Sequence, residues 1–202
     1  MPGRALANRA ASPGGQATTP TPSESAAPIP GPPSSTPQGW VVVKQGTLEL
    51  TLDPRWTIDQ QTSSGGEDTI TASWNGRGDT VMAVSDYNPP RRLPAATLCG
   101  ANAKASAKQM TKASDAPNLP NPMGDDRVET ASCTVRGELD GTAYQIIFNA
   151  YQPWKGTRAT VMQVRFRAKP FVPADAEPAA LAAARTTNLL QKFLIERTPK
   201  KG

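Results

Sequence analysis

Residues 128–168 read VETASCTVRGELDGTAYQIIFNAYQPWKGTRATVMQVRFRA, and this stretch decides the fold. Ala131, Cys133 and Val135 alternate with Thr130, Ser132 and Thr134. Tyr144, Ile146, Phe148 and Ala150 alternate with Gln145, Ile147, Asn149 and Tyr151. Met162, Val164, Phe166 and Ala168 alternate with Gln163, Arg165 and Arg167. A period of two describes strands whose neighbouring side chains point to opposite faces of a sheet. Asp140-Gly141 is hairpin turn chemistry, and a short segment from Gln152 to Arg158 makes the next connection. An antiparallel meander of three strands follows.

A helix closes that sheet. Pro173-Ala174-Asp175 opens it, and Pro178 is tolerated only in a first turn. At helical spacing Ala179, Ala182, Ala183, Thr186, Leu189, Leu190, Phe193 and Leu194 share one face, with Arg185, Asn188 and Lys192 opposite. Thr198-Pro199 ends it. The Leu190/Phe193 face is expected on the sheet side that carries Tyr144, Phe148, Val164 and Phe166.

Working back toward the start, the same alternation predicts strands over Thr47–Leu52, Asp68–Trp74 and Thr80–Tyr87, with a short extended piece at Arg55–Ile58. Gln60–Glu67 reads as a polar loop and Asn75–Asp79 as a turn. Ala95–Lys112 is rich in alanine and lysine, a composition with high helix propensity, and has a thin apolar stripe through Leu98, Cys99, Ala103 and Met110. Ala116–Asp126 reads as a long surface loop. The order strands, helix, strands, helix predicts an α+β fold: an antiparallel sheet of about six strands covered by two helices.

Residues 1–38 differ from the rest. They hold much of the proline of a chain with 21 prolines, and Leu6 and Ile29 are their only large aliphatic residues. Such a segment buries too little apolar surface to offset the entropy of ordering, so a disordered linker is expected. One globular domain is expected over 39–198, with a basic tail at 199–202. No run of 18 apolar residues is present, and Met1–Gly15 lacks the apolar core of a secretion signal. A Pro/Ser/Thr-rich leader is the composition of a tether. The expected location is therefore extracytoplasmic, periplasmic or at the cell surface, with the anchor outside this chain. A cytoplasmic protein with a flexible tail is the alternative.

The absence of histidine among 202 residues excludes Ser-His and Cys-His nucleophile arrangements and histidine-bound metals. Walker, dinucleotide and EF-hand patterns are also missing. No enzyme activity, cofactor or metal site is expected. The acidic pairs Glu67-Asp68 and Asp125-Asp126 read as solvated loop acids, with a hard-cation site as the minor alternative. Cys99 and Cys133 are placed on a helix and a strand of one packed interface. A disulfide is expected there, and two buried thiols are the other state compatible with the spacing.

Three further features carry candidate contacts. Lys104, Lys108 and Lys112 recur every four residues and, with Arg91 and Arg92 upstream, form a basic stripe on a chain of net charge +5. Solvation explains the stripe as an alanine-lysine helix face; contact with an anionic surface, whether a membrane, a wall polymer or an acidic protein partner, is the sharper reading. Nucleic acid is disfavoured because the stripe lacks interleaved aromatics. Tyr151 and Trp154, with Asn118 and Asn121 of the long loop, form a candidate ligand or partner site. Trp56 and Trp74 read as core. Arg77-Gly78-Asp79 matches an adhesion tripeptide, in a turn whose glycine and charges need no such role.

The run Thr47-Leu48-Glu49-Leu50-Thr51-Leu52-Asp53-Pro54-Arg55-Trp56-Thr57, followed by a central helix, a meander and a terminal amphipathic helix, resembles the PsbP-like family of photosystem extrinsic subunits and bacterial envelope lipoproteins. The resemblance covers roughly Thr47 to Arg197. It implies an α/β/α sandwich, no catalytic residues, and a role on envelope lipoproteins or assembly factors; a lipidation cysteine of that family is missing here. The expected function is thus a non-enzymatic envelope domain that docks onto another envelope protein. A ligand- or glycan-binding module built on Trp154 and its neighbouring loops is the alternative.

Overall fold

The computed structural model describes residues 36–116, 125–168 and 176–201. The element order is β1 (Val41–Gln45), β2 (Leu48–Leu52), β3 (Trp56–Ser64), β4 (Glu67–Trp74), β5 (Arg77–Tyr87), α1 (Ala95–Ala107), β6 (Thr111–Ala116), β7 (Val128–Leu139), β8 (Thr142–Pro153), β9 (Ala159–Arg167) and α2 (Ala176–Arg197). β1 and β2 pair as a separate hairpin. The other seven strands form one antiparallel sheet in the order β3-β4-β5-β9-β8-β7-β6. The chain fills one half of the sheet from its edge inward and crosses by α1 to the far edge. The meander then returns until β9 closes on β5.

Turn chemistry sets these registers. Asn75-Gly76 and Asp140-Gly141 both have positive φ at both central residues, the backbone that matches the twist of a two-residue hairpin. The meander of β7, β8 and β9 pairs through Cys133 with Phe148 and Ile147 with Val164.

Two hydrophobic clusters lie on opposite faces. On one face Ile70, Ala72, Met82, Val84, Met162 and Val164 pack under α2 and under Leu48, Leu50 and Leu52 of β2. Each of those leucines is about 1% exposed, and burial of each contributes about 1.5–3 kcal/mol before entropy. Trp56 and Trp74 are buried in this cluster with ring centroids 5.2 Å apart, edge to face. On the other face Cys133, Val135, Ile146, Phe148 and Val161 pack under α1 through Ala95, Leu98, Cys99 and Ala103. The thin stripe of α1 allows that close approach.

Several expectations need correction. The sheet has seven strands with a further two-stranded hairpin, because Gln60–Ser64 continues β3 and Thr111–Ala116 forms β6. Residues 108–112 are not helix: α1 ends at Ala107, and Lys112 takes φ +52 at a register shift at the start of β6. Tyr144 and Phe148 lie under α1, while Val164 and Phe166 lie under α2, because Phe148 stands opposite Gln163 and Val164 opposite Ile147. The Arg77-Gly78-Asp79 tripeptide starts β5 and is not the turn tip; the Gly78 carbonyl accepts a hydrogen bond from Arg165.

Candidate functional site

α1 has no side-chain cap of its own. Glu129 on β7 supplies one from outside: its Oε1 accepts from the Ala95 N–H at 3.1 Å, and its Oε2 pairs with Arg92 at 3.1 Å. A carboxylate at a helix N-terminus is favourable to the dipole. Lower on the same interface Cys99 and Cys133 form a disulfide with Cα atoms 5.8 Å apart, closing a separation of 34 residues. The crosslink fits an oxidising, extracytoplasmic compartment. No helix among the described residues is long and apolar enough to cross a membrane.

The opposite face carries a polar row that sequence reading missed. Ser63, Asp68, Asp86, Thr160 and Tyr151 stand side by side across β3, β4, β5, β9 and β8. Two carboxylates directly opposite each other repel. Arg158, just before β9, resolves the conflict: its Nη2 reaches Asp68 at 3.0 Å and its Nε reaches Asp86 at 2.7 Å. The Thr47 hydroxyl lies 3.0 Å from Asp68 and 2.8 Å from Asp86, and the Thr47 N–H donates to Asp68 at 2.9 Å. Thr160 donates to Asp86 at 3.1 Å. The Ser63 hydroxyl, then the two Thr47 donors and the Arg158 charge, hold the Asp68 carboxyl down at about 2. Gly46 is needed here for two reasons: its φ is +55, and a Cβ would collide with the Asp68 carboxylate.

Asp86, Arg158 and Thr160 of this network line a cleft of about 170 Å³ at the end of the domain where the β8–β9 loop meets the end of α2. Lys155 and Arg158 come from the loop, and Arg197 comes from the last turn of α2. Pro153, Leu194 and Pro199 supply apolar wall. Arg197 donates to the Thr47 carbonyl and lies over the Phe193 ring. Thr198 ends the helix by donating its N–H and its hydroxyl to the Leu194 carbonyl. Trp154, beside the cleft, is half-buried and donates its Nε1 to the Pro199 carbonyl at 2.7 Å.

The candidate residues divide as follows. Trp154 is at the cleft. Tyr151 is about 1% exposed inside the core, and burial raises its phenol above the usual range, so it is a packing residue and not a surface contact. Asn118 and Asn121 lie outside the described residues, as does the 1–38 linker as far as residue 35. Lys104 and Lys108 are exposed, but Lys112 leaves the helical row and pairs with Glu138 at 2.9 Å. Arg92 is held by Glu129, and Arg91 is exposed. Of the acidic pairs, Asp68 belongs to the buried network, and Asp125 is held at about 2 by the Arg127 guanidinium. Among the described residues no group of three acids or cysteines could hold a metal ion.

The cleft could have been suspected from Asp86, an ionisable residue at a position where β5 otherwise buries apolar or small side chains. No family model and no curated protein matches the chain.

Proposed function

We propose that this chain is a non-enzymatic docking domain of an oxidising, extracytoplasmic compartment, and that it contacts an acidic protein partner through the end carrying the cleft. One observation carries this reading. Lys155 and Arg197 line the cleft without a carboxylate partner among the described residues, and Lys200 and Lys201 follow directly after its Pro199 wall. The two acids beneath are engaged by Arg158. Charge of one sign at a concave end steers an oppositely charged partner and sets its orientation. The polar chemistry beneath the cleft is saturated with fixed donors, an arrangement suited to holding shape.

On this reading the PsbP-like resemblance describes the same kind of object: helices on both faces of an antiparallel sheet, acting by contact. The test is co-purification from the native source after mild crosslinking, comparing wild type with Lys155→Glu/Arg197→Glu. The reading expects a specific partner that the charge-reversed protein loses; identical recovery by both proteins removes it.

A second reading, a ligand module, draws on a different feature. α1 covers only the β6–β8 half of its face, leaving a shallow groove lined by Glu67, Ser85, Tyr87, Asn102 and Gln163. An aromatic ring among hydroxyl and amide groups suits a polyol such as a glycan. Chemical-shift mapping with cell-wall oligosaccharides decides it: shifts at Tyr87 and Asn102 support it, and unchanged spectra remove it.

A further inference from the structure

We infer that the cleft between the β8–β9 loop and the end of α2 is a carboxylate-binding site, taking an acidic side chain of a peptide segment. Three cationic side chains line it: Arg158, Lys155 and Arg197. Arg158 commits Nε to Asp86 and Nη2 to Asp68, leaving Nη1 without a partner among the described residues on a side chain 32% exposed. The two carboxylates fix that guanidinium, so its remaining donors are already oriented. Arg197 spends Nη1 on the Thr47 carbonyl and keeps Nε and Nη2 unclaimed among the described residues. Lys155 makes no ion pair among the described residues and is exposed on the loop.

Charge favours an anion. Arg158, Lys155 and Arg197 stand against Asp68 and Asp86, both of which are buried and engaged by Arg158 and Thr47. Glu196, the neighbouring acid on α2, pairs with Lys192. A guanidinium that has spare N–H groups is a geometric match for a carboxylate.

The walls select the carrier of the anion. Pro153, Leu194 and Pro199 place apolar surface beside the cations. A free inorganic anion gains nothing from that surface, whereas the methylene stem of a glutamate side chain does. A cleft of about 170 Å³ is too small for a folded epitope and of the right order for one side chain.

This inference rests on the docking reading, and the two fail separately. The experiment is fluorescence anisotropy of a labelled hexaglutamate peptide at low salt, with hexaglutamine as control. Lys155→Gln and Arg197→Gln are used because neither side chain bonds Asp68, Asp86 or Arg158, and because Arg197→Gln gives up the bond to the Thr47 carbonyl, melting curves check that both fold. The expected result is binding of hexaglutamate but not hexaglutamine, weakened about tenfold by each variant, the loss of one charge-assisted hydrogen bond. Equal binding of both peptides, or binding unchanged in both variants, overturns the site. Co-sedimentation with phosphatidylserine vesicles that depends on Lys155 and Arg197, with no hexaglutamate binding, also overturns it. If hexaglutamate binds as expected but no partner crosslinks in the native source, the site stands and the docking reading falls. If hexaglutamate shows no specific binding but a partner still crosslinks to wild type and is lost on charge reversal at Lys155 and Arg197, docking through this end stands and the carboxylate site falls.

Discussion

Asp68 and Asp86 stand directly opposite each other on β4 and β5, and one guanidinium, that of Arg158, binds both. The bridge joins the two strands to the loop that leads into β9. Thr47 adds the tip of the β1–β2 hairpin to the same cluster, and Arg197 adds the end of α2. Two strands, a loop, a hairpin tip and a helix end are thus fixed at one point, and Asp86, Arg158 and Arg197 of that cluster line the cleft.

Removing Arg158 leaves two buried carboxylates facing each other. Arg158→Met is expected to destabilise the domain by about 3 kcal/mol, since losing one partner of a buried ion pair strands the other charge. The triple change Asp68→Asn/Asp86→Asn/Arg158→Met should recover much of that loss. Urea unfolding measures both. A triple variant no more stable than Arg158→Met would mean that the charges are not the cause.

Acid should reach the same network. The folded Asp68 carboxyl titrates at about 2, below its value in the unfolded chain of about 4. Its contribution is therefore fully present above about pH 4 and is lost as the pH falls from about 4 toward 2. Asp125, held near 2 by Arg127, acts in the same direction. Stability measured across this window should fall, and Asp68→Asn should show a shallower fall from a lower starting point. An identical slope in the variant would detach Asp68 from the acid transition.

The Cys99–Cys133 bond joins α1 to β7 across a separation of 34 residues. In the chain-entropy description such a loop is worth about 3–4 kcal/mol. Reduction, or Cys99→Ser/Cys133→Ser, should lower the denaturant midpoint accordingly. Intact mass after alkylation, with and without reductant, reports the bond itself, and two thiols alkylated in the native protein contradict it.

Tyr151 separates packing from binding. Its hydroxyl makes only a long contact of 3.5 Å to the Thr187 carbonyl, whereas its ring is enclosed under α2. Tyr151→Phe should change stability by no more than about 1 kcal/mol, and Tyr151→Ala should cost about 3–5 kcal/mol. Thermal melts check this order; a large loss in the phenylalanine variant would give the hydroxyl a role that its geometry does not suggest.

How much of this was legible in the sequence follows from where the information is local. The meander was readable because Cys133 and Val135 alternate with Ser132, Thr134 and Arg136, Val164 and Phe166 alternate with Gln163, Arg165 and Arg167, and Asp140-Gly141 marks the turn. Assigning faces across it was not, because that requires the register: Phe148 pairs with Gln163, so it shares a face with Cys133 and not with Val164. β6 has the sequence Thr-Lys-Ala-Ser-Asp-Ala, which lacks apolar alternation and is held as an edge by pairing with β7. The acidic pair was hidden by an irregularity. A simple Asn75-Gly76 hairpin would place Asp68 opposite Ala83, but the register shift between Ser73 and Trp74 places it opposite Asp86. The cleft depends on that shift and on the long-range return of β9 to β5, neither of which is encoded in a short window.

The central claim is that the domain docks through the end bearing Lys155 and Arg197. The most direct measurement places a photoreactive side chain at position 155 and, separately, at position 104 on α1, then irradiates each protein in its native setting. The account predicts a single protein adduct from position 155 and none from position 104. An adduct only from position 104, or none from either, would contradict it.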